Sequence, residues 1–139
     1  MRNIPLILLW IWQLPQHLLA LVIWIVFKPE SCMSYKGCKI FRVKPDDFGI
    51  SLGRYIFISS HYQMPTVMHE YGHSIQSRWL GPIYMLIILF PSFIFCFMRD
   101  LIFHHKWDMT DRIDWYYKQP IEKHADILGG VDRAVFDYE

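Results

Sequence analysis

Apolar positions along the chain form two long uncharged runs. Shorter alternating segments lie between them, and a polar tail follows. The first run, residues 3–27, reads NIPLILLWIWQLPQHLLALVIWIVF and contains no Asp, Glu, Lys or Arg. As a helix it would be about 37 Å long, against about 30 Å for a bilayer core. It is apolar all round rather than on one stripe, which predicts contact with lipid. Pro15 predicts a kink. Gln13 and His17, one turn apart, are expected to face protein, because polar groups in lipid are costly. The run exceeds a secretory h-region and no small-x-small cleavage site follows, so residues 1–28 read as an uncleaved transmembrane anchor.

Residues 29–63 change character. Residues 38–44, CKIFRVK, and 50–59, ISLGRYIFIS, are rich in β-formers and flank the turn signal PDDFG at 45–49. They predict a β-hairpin on the membrane surface. Residues 64–81 begin near Pro65 and end at Gly81. Met64, Val67, Met68, Tyr71, Ile75 and Trp79 give a rough 3.6-residue apolar face there, which predicts a helix. The second uncharged run, residues 79–98, lies between Arg78 and Arg99 and is broken by Pro91-Ser92. In the polar tail, 104–139, Pro120 predicts the start of a short helix that Gly129-Gly130 ends. The expected fold class is a mainly α membrane protein of one domain. Its parts are an N-terminal transmembrane helix, a surface β-hairpin, a central helix, a second apolar segment over 82–103 and a C-terminal Glu-bearing helix.

Composition narrows the function classes. With 139 residues there is room for one domain. Aromatics at 17% exclude intrinsic disorder. A net charge of +1 gives no global basic field for nucleic acid. Three Cys are too few for a disulfide scaffold.

The sharpest motif is His69-Glu70-Tyr71-Gly72-His73, an H-E-x-x-H. On a helix the two imidazoles share a face and can bind one Zn2+, while Glu70 can take a proton from water at the metal. A catalytic zinc needs a third protein ligand. Downstream, Glu122 and Asp126 are four residues apart on the predicted helix, and Gly129 leaves their face bare for close approach. A ligand carboxylate followed by one that hydrogen-bonds a ligand His is a pairing that metal sites favour.

Together these segments resemble the gluzincin metallopeptidases, the class that includes thermolysin. Glu122-x-x-Ala125-Asp126 is similar to the E-x-x-A-D of membrane-bound gluzincins. The resemblance covers about residues 66–79 and 120–130, in a chain far shorter than a standard member. It implies His69, His73 and Glu122 as zinc ligands, Glu70 as catalytic general base and Asp126 as orienter of a ligand His. The implied activity is hydrolysis of a peptide or membrane-protein substrate. The chain also resembles small bacterial membrane proteins of unassigned function that carry W-Q-L-P-Q, here Trp12 to Gln16, and H-E-Y-G-H-S-I-Q-S. Two alternatives stand beside this reading. H-E-x-G-H is similar to the motif of site-2 intramembrane proteases, in which an Asp is the third ligand; Asp126 would take that part. A non-catalytic membrane assembly or immunity protein with a structural metal site is the other.

Further candidates are weaker. His61 precedes the active helix, and Tyr116 and Tyr117 could donate to a developing oxyanion or serve as interfacial anchors. His124 points about 200° from Glu122 and is expected at the surface. His104-His105 are expected in the headgroup region. His73 and Glu122 must meet, so a single crossing by residues 79–98 requires a site deep in the membrane. Otherwise the run re-enters and returns at Pro91-Ser92, or lies alongside the anchor. Lys28, Lys36, Lys39, Arg42 and Lys44 follow the anchor. They place the catalytic side in the cytoplasm, in a bacterial inner membrane, with Cys32 and Cys38 as free thiols. Residues 50–59, taken as an edge strand, would offer an extended peptide a partner.

Overall fold

A computed structural model describes residues 5–46 and 48–134. The chain is mostly helical, with one small sheet. The N-terminal run is two helices, α1 (Leu6–Trp12) and α2 (Leu14–Phe27). They meet at 75°. Pro15 sits in the first turn of α2, where its missing N–H costs nothing, so the predicted kink is a full break at Gln13. α1 has no buried residue, and α2 buries Gln16, His17 and Ala20.

Between α2 and the H-E-x-x-H helix lies a four-stranded mixed sheet rather than the expected single hairpin. Its strands are β1 (Ser31–Tyr35), β2 (Cys38–Val43), β3 (Gly49–Leu52) and β4 (Tyr55–Ser59), in the order β1-β2-β4-β3. Two tight turns explain the difference. Lys36 (φ 45°) and Gly37 (φ 83°) supply the two left-handed residues of a type I′ loop joining β1 to β2. Gly53 (φ 64°) reverses the chain within 50–59, so that Leu52 pairs with Tyr55. The segment expected as one edge strand is therefore a hairpin. Its second half, β4, is central and pairs β2 in parallel, Ile40 opposite Ile56.

Strict alternation gives the sheet two apolar faces. Cys38, Ile40, Ile56 and Ile58 pack on Val67 of the next helix. Val43, Leu52 and Phe57 pack on Ala20 of α2. β2, β3 and β4 thus fill the space between α2 and α3 (Met64–Leu80), while β1 is an exposed edge strand.

After α3 a 3-10 turn, Gly81–Ile83, leads into α4 (Met85–Phe103). The re-entrant turn expected at Pro91-Ser92 is absent. Pro91 keeps helical angles (φ −61°, ψ −42°), and π-helical turns at Met85–Leu89 and Ser92–Met98 flank it. Wider turns accommodate the missing proline N–H without reversing the chain. Among the described residues α4 is long and apolar enough to cross a membrane; α1 and α2 qualify only as a bent pair. Two helices complete the chain, α5 (Met109–Tyr117) and α6 (Pro120–Gly129). The expected cap pair, Pro120 and Gly130 (φ 78°), bounds α6.

Candidate metal centre

α3 and α6 meet backbone to backbone. A Cβ added at Gly72 would fall on the Ala125 carbonyl oxygen, and one at Gly129 on the Met68 carbonyl. This close approach brings the two motifs together. His69 Nε2 and His73 Nε2 lie 3.1 Å and 3.2 Å from the same oxygen, Oε2 of Glu122. All three side chains are buried, and their ligating atoms fall within 4.8 Å of one another.

The outer nitrogens are fixed too. His69 Nδ1 donates to Asp126 Oδ1 at 2.7 Å, and His73 Nδ1 donates to Gln76 Oε1 at 2.7 Å. Each Nδ1 thus has an oxygen partner, which leaves both Nε2 atoms directed at one place, as in imidazoles that hold a metal. Asp126 also receives Arg133, at 2.5 Å and 2.7 Å, and the Arg133 guanidinium lies 3.1 Å over the Tyr117 ring. Tyr117 stands edge-on to His69 at 4.9 Å. The other oxygen of Glu122 accepts from Ser92 of α4, and Ser92 also bonds Tyr116.

Charge within this cluster is shared. Burial alone would lower the His69 pKa, but hydrogen bonds to Asp126 and Glu122 overcome it and raise it to about 9. Burial opposes ionisation of Glu122, yet the two imidazoles hold its carboxyl far below the usual range. Asp126 is also lowered, its His69 and Arg133 partners outweighing burial. Glu70 goes the other way. Its pKa is raised by burial, against the pull of His73 and His69. Glu70 is not part of the three-ligand group. Its Oε2 has no protein partner, and its carboxylate lies against Gly49 at the start of β3.

The residues expected from the two motifs are therefore together: His69, His73 and Glu122 as one group, Asp126 behind His69 and Glu70 beside them. Asp126 turns both oxygens toward His69 and Arg133, while Glu122 is the carboxylate grouped with the two Nε2 atoms. Tyr117 is at the site and His61 is not. His61 is exposed and its Nε2 pairs with Asp46 at 3.2 Å. His124 is exposed and accepts from Gln76 at 3.0 Å. His104, expected in the headgroup region, is buried and stacks on Trp107 at 3.9 Å. Three partners were not anticipated: Gln76, Ser92 and Arg133. Gln76 could have been found, since it lies three residues from His73 on the same helix. Cys32, Cys38 and Cys96 are free.

No family model, curated protein or solved structure matches this chain. Two imidazole nitrogens and one carboxylate oxygen, all buried, could hold a metal ion, and among the described residues no fourth ligating side chain joins them.

Proposed function

We propose that this protein is a small integral membrane zinc metallopeptidase. The observation that carries the reading is the convergence of His69 Nε2, His73 Nε2 and Glu122 Oε2, each ring held from behind by an oxygen acceptor. Zinc held there would supply Lewis acidity at a scissile carbonyl and at the attacking water. Glu70, outside the ligand group and raised in pKa by burial, would be the general base for the attacking water and would pass a proton to the leaving amine. Tyr117, against His69, is the side chain best placed to donate to the oxyanion, with Arg133 above its ring. The exposed apolar side chains of α1, α2 and α4 support contact with lipid; the bacterial inner membrane and the cytoplasmic catalytic side rest on the charges that follow the first run. A three-ligand set with an open position supports hydrolysis over a purely structural metal site.

The test pairs zinc content with cleavage of a membrane-tethered peptide reporter. Glu70→Gln should keep about one zinc per chain and lose 10²–10⁴-fold or more in rate. A Glu70→Gln protein that cleaves at the wild-type rate would remove the mechanism.

One observation favours an intramembrane form of this activity. The proposed third ligand is hydrogen-bonded to Ser92, near the middle of α4, which among the described residues is long and apolar enough to cross a bilayer. Such a site acts on membrane-embedded segments rather than on soluble peptides.

A further inference from the structure

The W-Q-L-P-Q motif at the α1–α2 break holds the far end of the active helix. Trp12 Nε1 donates to the Arg78 carbonyl at 3.2 Å, Gln13 Nε2 to Ser77 Oγ at 2.7 Å and Gln16 Nε2 to the Gly81 carbonyl at 2.5 Å. Glu70, Ser74 and Ser77 are spaced i, i+4 and i+7, so they form one buried stripe of α3, and buried Gly81 follows at its C-terminus. The stripe starts at the Glu70 carboxylate and ends at Gln13 and Gln16.

A second polar line runs beside it. β3 packs along α3. Gly49 and Ser51 lie on the same side of β3, and Gly53 follows in the turn. Glu70 lies against Gly49. A Cβ at Gly53 would meet His17 Nε2 at 2.5 Å and Gln13 Cβ at 3.5 Å. The helical line is about 16 Å long and runs from Glu70 to the bend at Gln13. β3 and its turn lie alongside it, from Glu70 at Gly49 to Gln13 at Gly53.

The oxygens between them are buried and lack protein partners: Gln13 Oε1, Gln16 Oε1, Ser51 Oγ and Glu70 Oε2. Gln13 and Gln16 are 0% exposed, Ser51 2% and Glu70 6%. A buried acceptor without a donor bears its full desolvation cost. Four along one seam are accounted for when water donates to each, a buried water typically making about three hydrogen bonds.

We propose that a file of buried water occupies the seam between α3 and β3, running from the Gln13 bend to the Glu70 carboxylate. It explains why an otherwise apolar N-terminal run carries Gln13 and Gln16. Each amide uses its N–H on α3 and turns its oxygen into the seam. The file reaches Glu70 from the side opposite α6, which would replenish water at the base without opening the metal side. That last role rests on Glu70 acting as general base; the file itself does not.

Radiolytic hydroxyl labelling of the full chain in detergent tests it, because radicals formed from ordered water mark the side chains beside that water. Cys38, 0% exposed with Sγ 3.2 Å from Ser74 Oγ, is the native reporter. Phe57, 1% exposed on the opposite face of the sheet, is the dry control. Cys38 should label several-fold faster than Phe57, relative to their intrinsic reactivities. Ser51→Val should bring it toward the control while zinc content stays at the wild-type level. Ser51→Ala, which removes the hydroxyl with little added bulk, should lower labelling less and guards against misfolding of the valine variant. Labelling of Cys38 at the Phe57 level in the wild type, or unchanged labelling in both variants, would overturn the file. Neither outcome depends on hydrolysis, so absent cleavage with strong labelling would count against the peptidase alone.

Discussion

Glu122 serves two neighbours at once. One oxygen faces both ligand imidazoles, and the other accepts from Ser92. In the metal-free chain this carboxylate and Asp126 hold an extra proton on His69, whose pKa of about 9 lies above the ordinary 6.5. The sign follows from linkage. The raised pKa stabilises the metal-free fold fully below about 6.5, and that stabilisation is lost as pH rises through about 9. Zinc needs the neutral ring, so binding must expel the proton. Calorimetry near pH 7 in buffers of different ionisation enthalpy should show about one proton released per zinc. Apparent affinity should rise about tenfold per pH unit toward pH 9. Proton-independent binding across this range would refute the His69 assignment. Asp126→Ala should weaken zinc by roughly 10–100-fold, since Asp126 orients a ligand and is not one. Complete loss of zinc in Asp126→Ala, with retention in Glu122→Ala, would transfer the ligand role to Asp126. Spacing within single helices made His69, Glu70, His73, Glu122 and Asp126 legible in the sequence. Ser92 and Arg133 were not, because their partners lie on other elements and no local spacing encodes those meetings.

Helix against helix, the site depends on two glycines. Gly72 follows Tyr71 within the H-E-x-x-H, and Gly129 closes α6. Each is covered by a backbone carbonyl of the other helix, which cannot yield as a flexible side chain would. Gly72→Ala should therefore push α6 away and separate Glu122 from the two His. Overpacking of this kind typically costs about 1–3 kcal/mol, and the added clash is with main chain, so the upper end is expected. Thermal unfolding and zinc content measured together check this: both should fall. An alanine variant with wild-type melting and full zinc would mean the helices do not meet here. The helices themselves were legible from proline, glycine and periodicity. The sheet was legible only as β-rich sequence. Its topology turns on Gly37 and Gly53, single residues whose left-handed angles reverse the chain inside what reads as continuous strand. Once Gly53 makes its turn, β4 comes back between β2 and β3, and a parallel pairing results that no local pattern specifies.

At the scale of the whole molecule, hydropathy found both apolar runs but carried no information on depth. α4 is about 28 Å long by its rise, close to a bilayer core, and Ser92 lies about 10 Å from its start. Because Ser92 touches Glu122, the zinc ligands share that depth if α4 crosses a membrane. This removes the need for a returning loop: α5 and α6 bring Glu122 back along α4, rather than the apolar run reversing. A spin label at Ile94→Cys, two residues from Ser92 and 52% exposed, reads the depth directly. In bilayers it should be relaxed strongly by oxygen and weakly by a polar nickel reagent. The opposite order would put this part of α4, and the metal site with it, in water. Substrate choice follows from the same geometry. A scissile bond within a transmembrane segment should be cut, while the same sequence as a water-soluble peptide should be cut at least about tenfold more slowly, because only the first enters at the level of Ser92. Equal rates would mean that substrate reaches His69 and His73 from the aqueous side, with α4 serving as a wall rather than as the depth marker of the site.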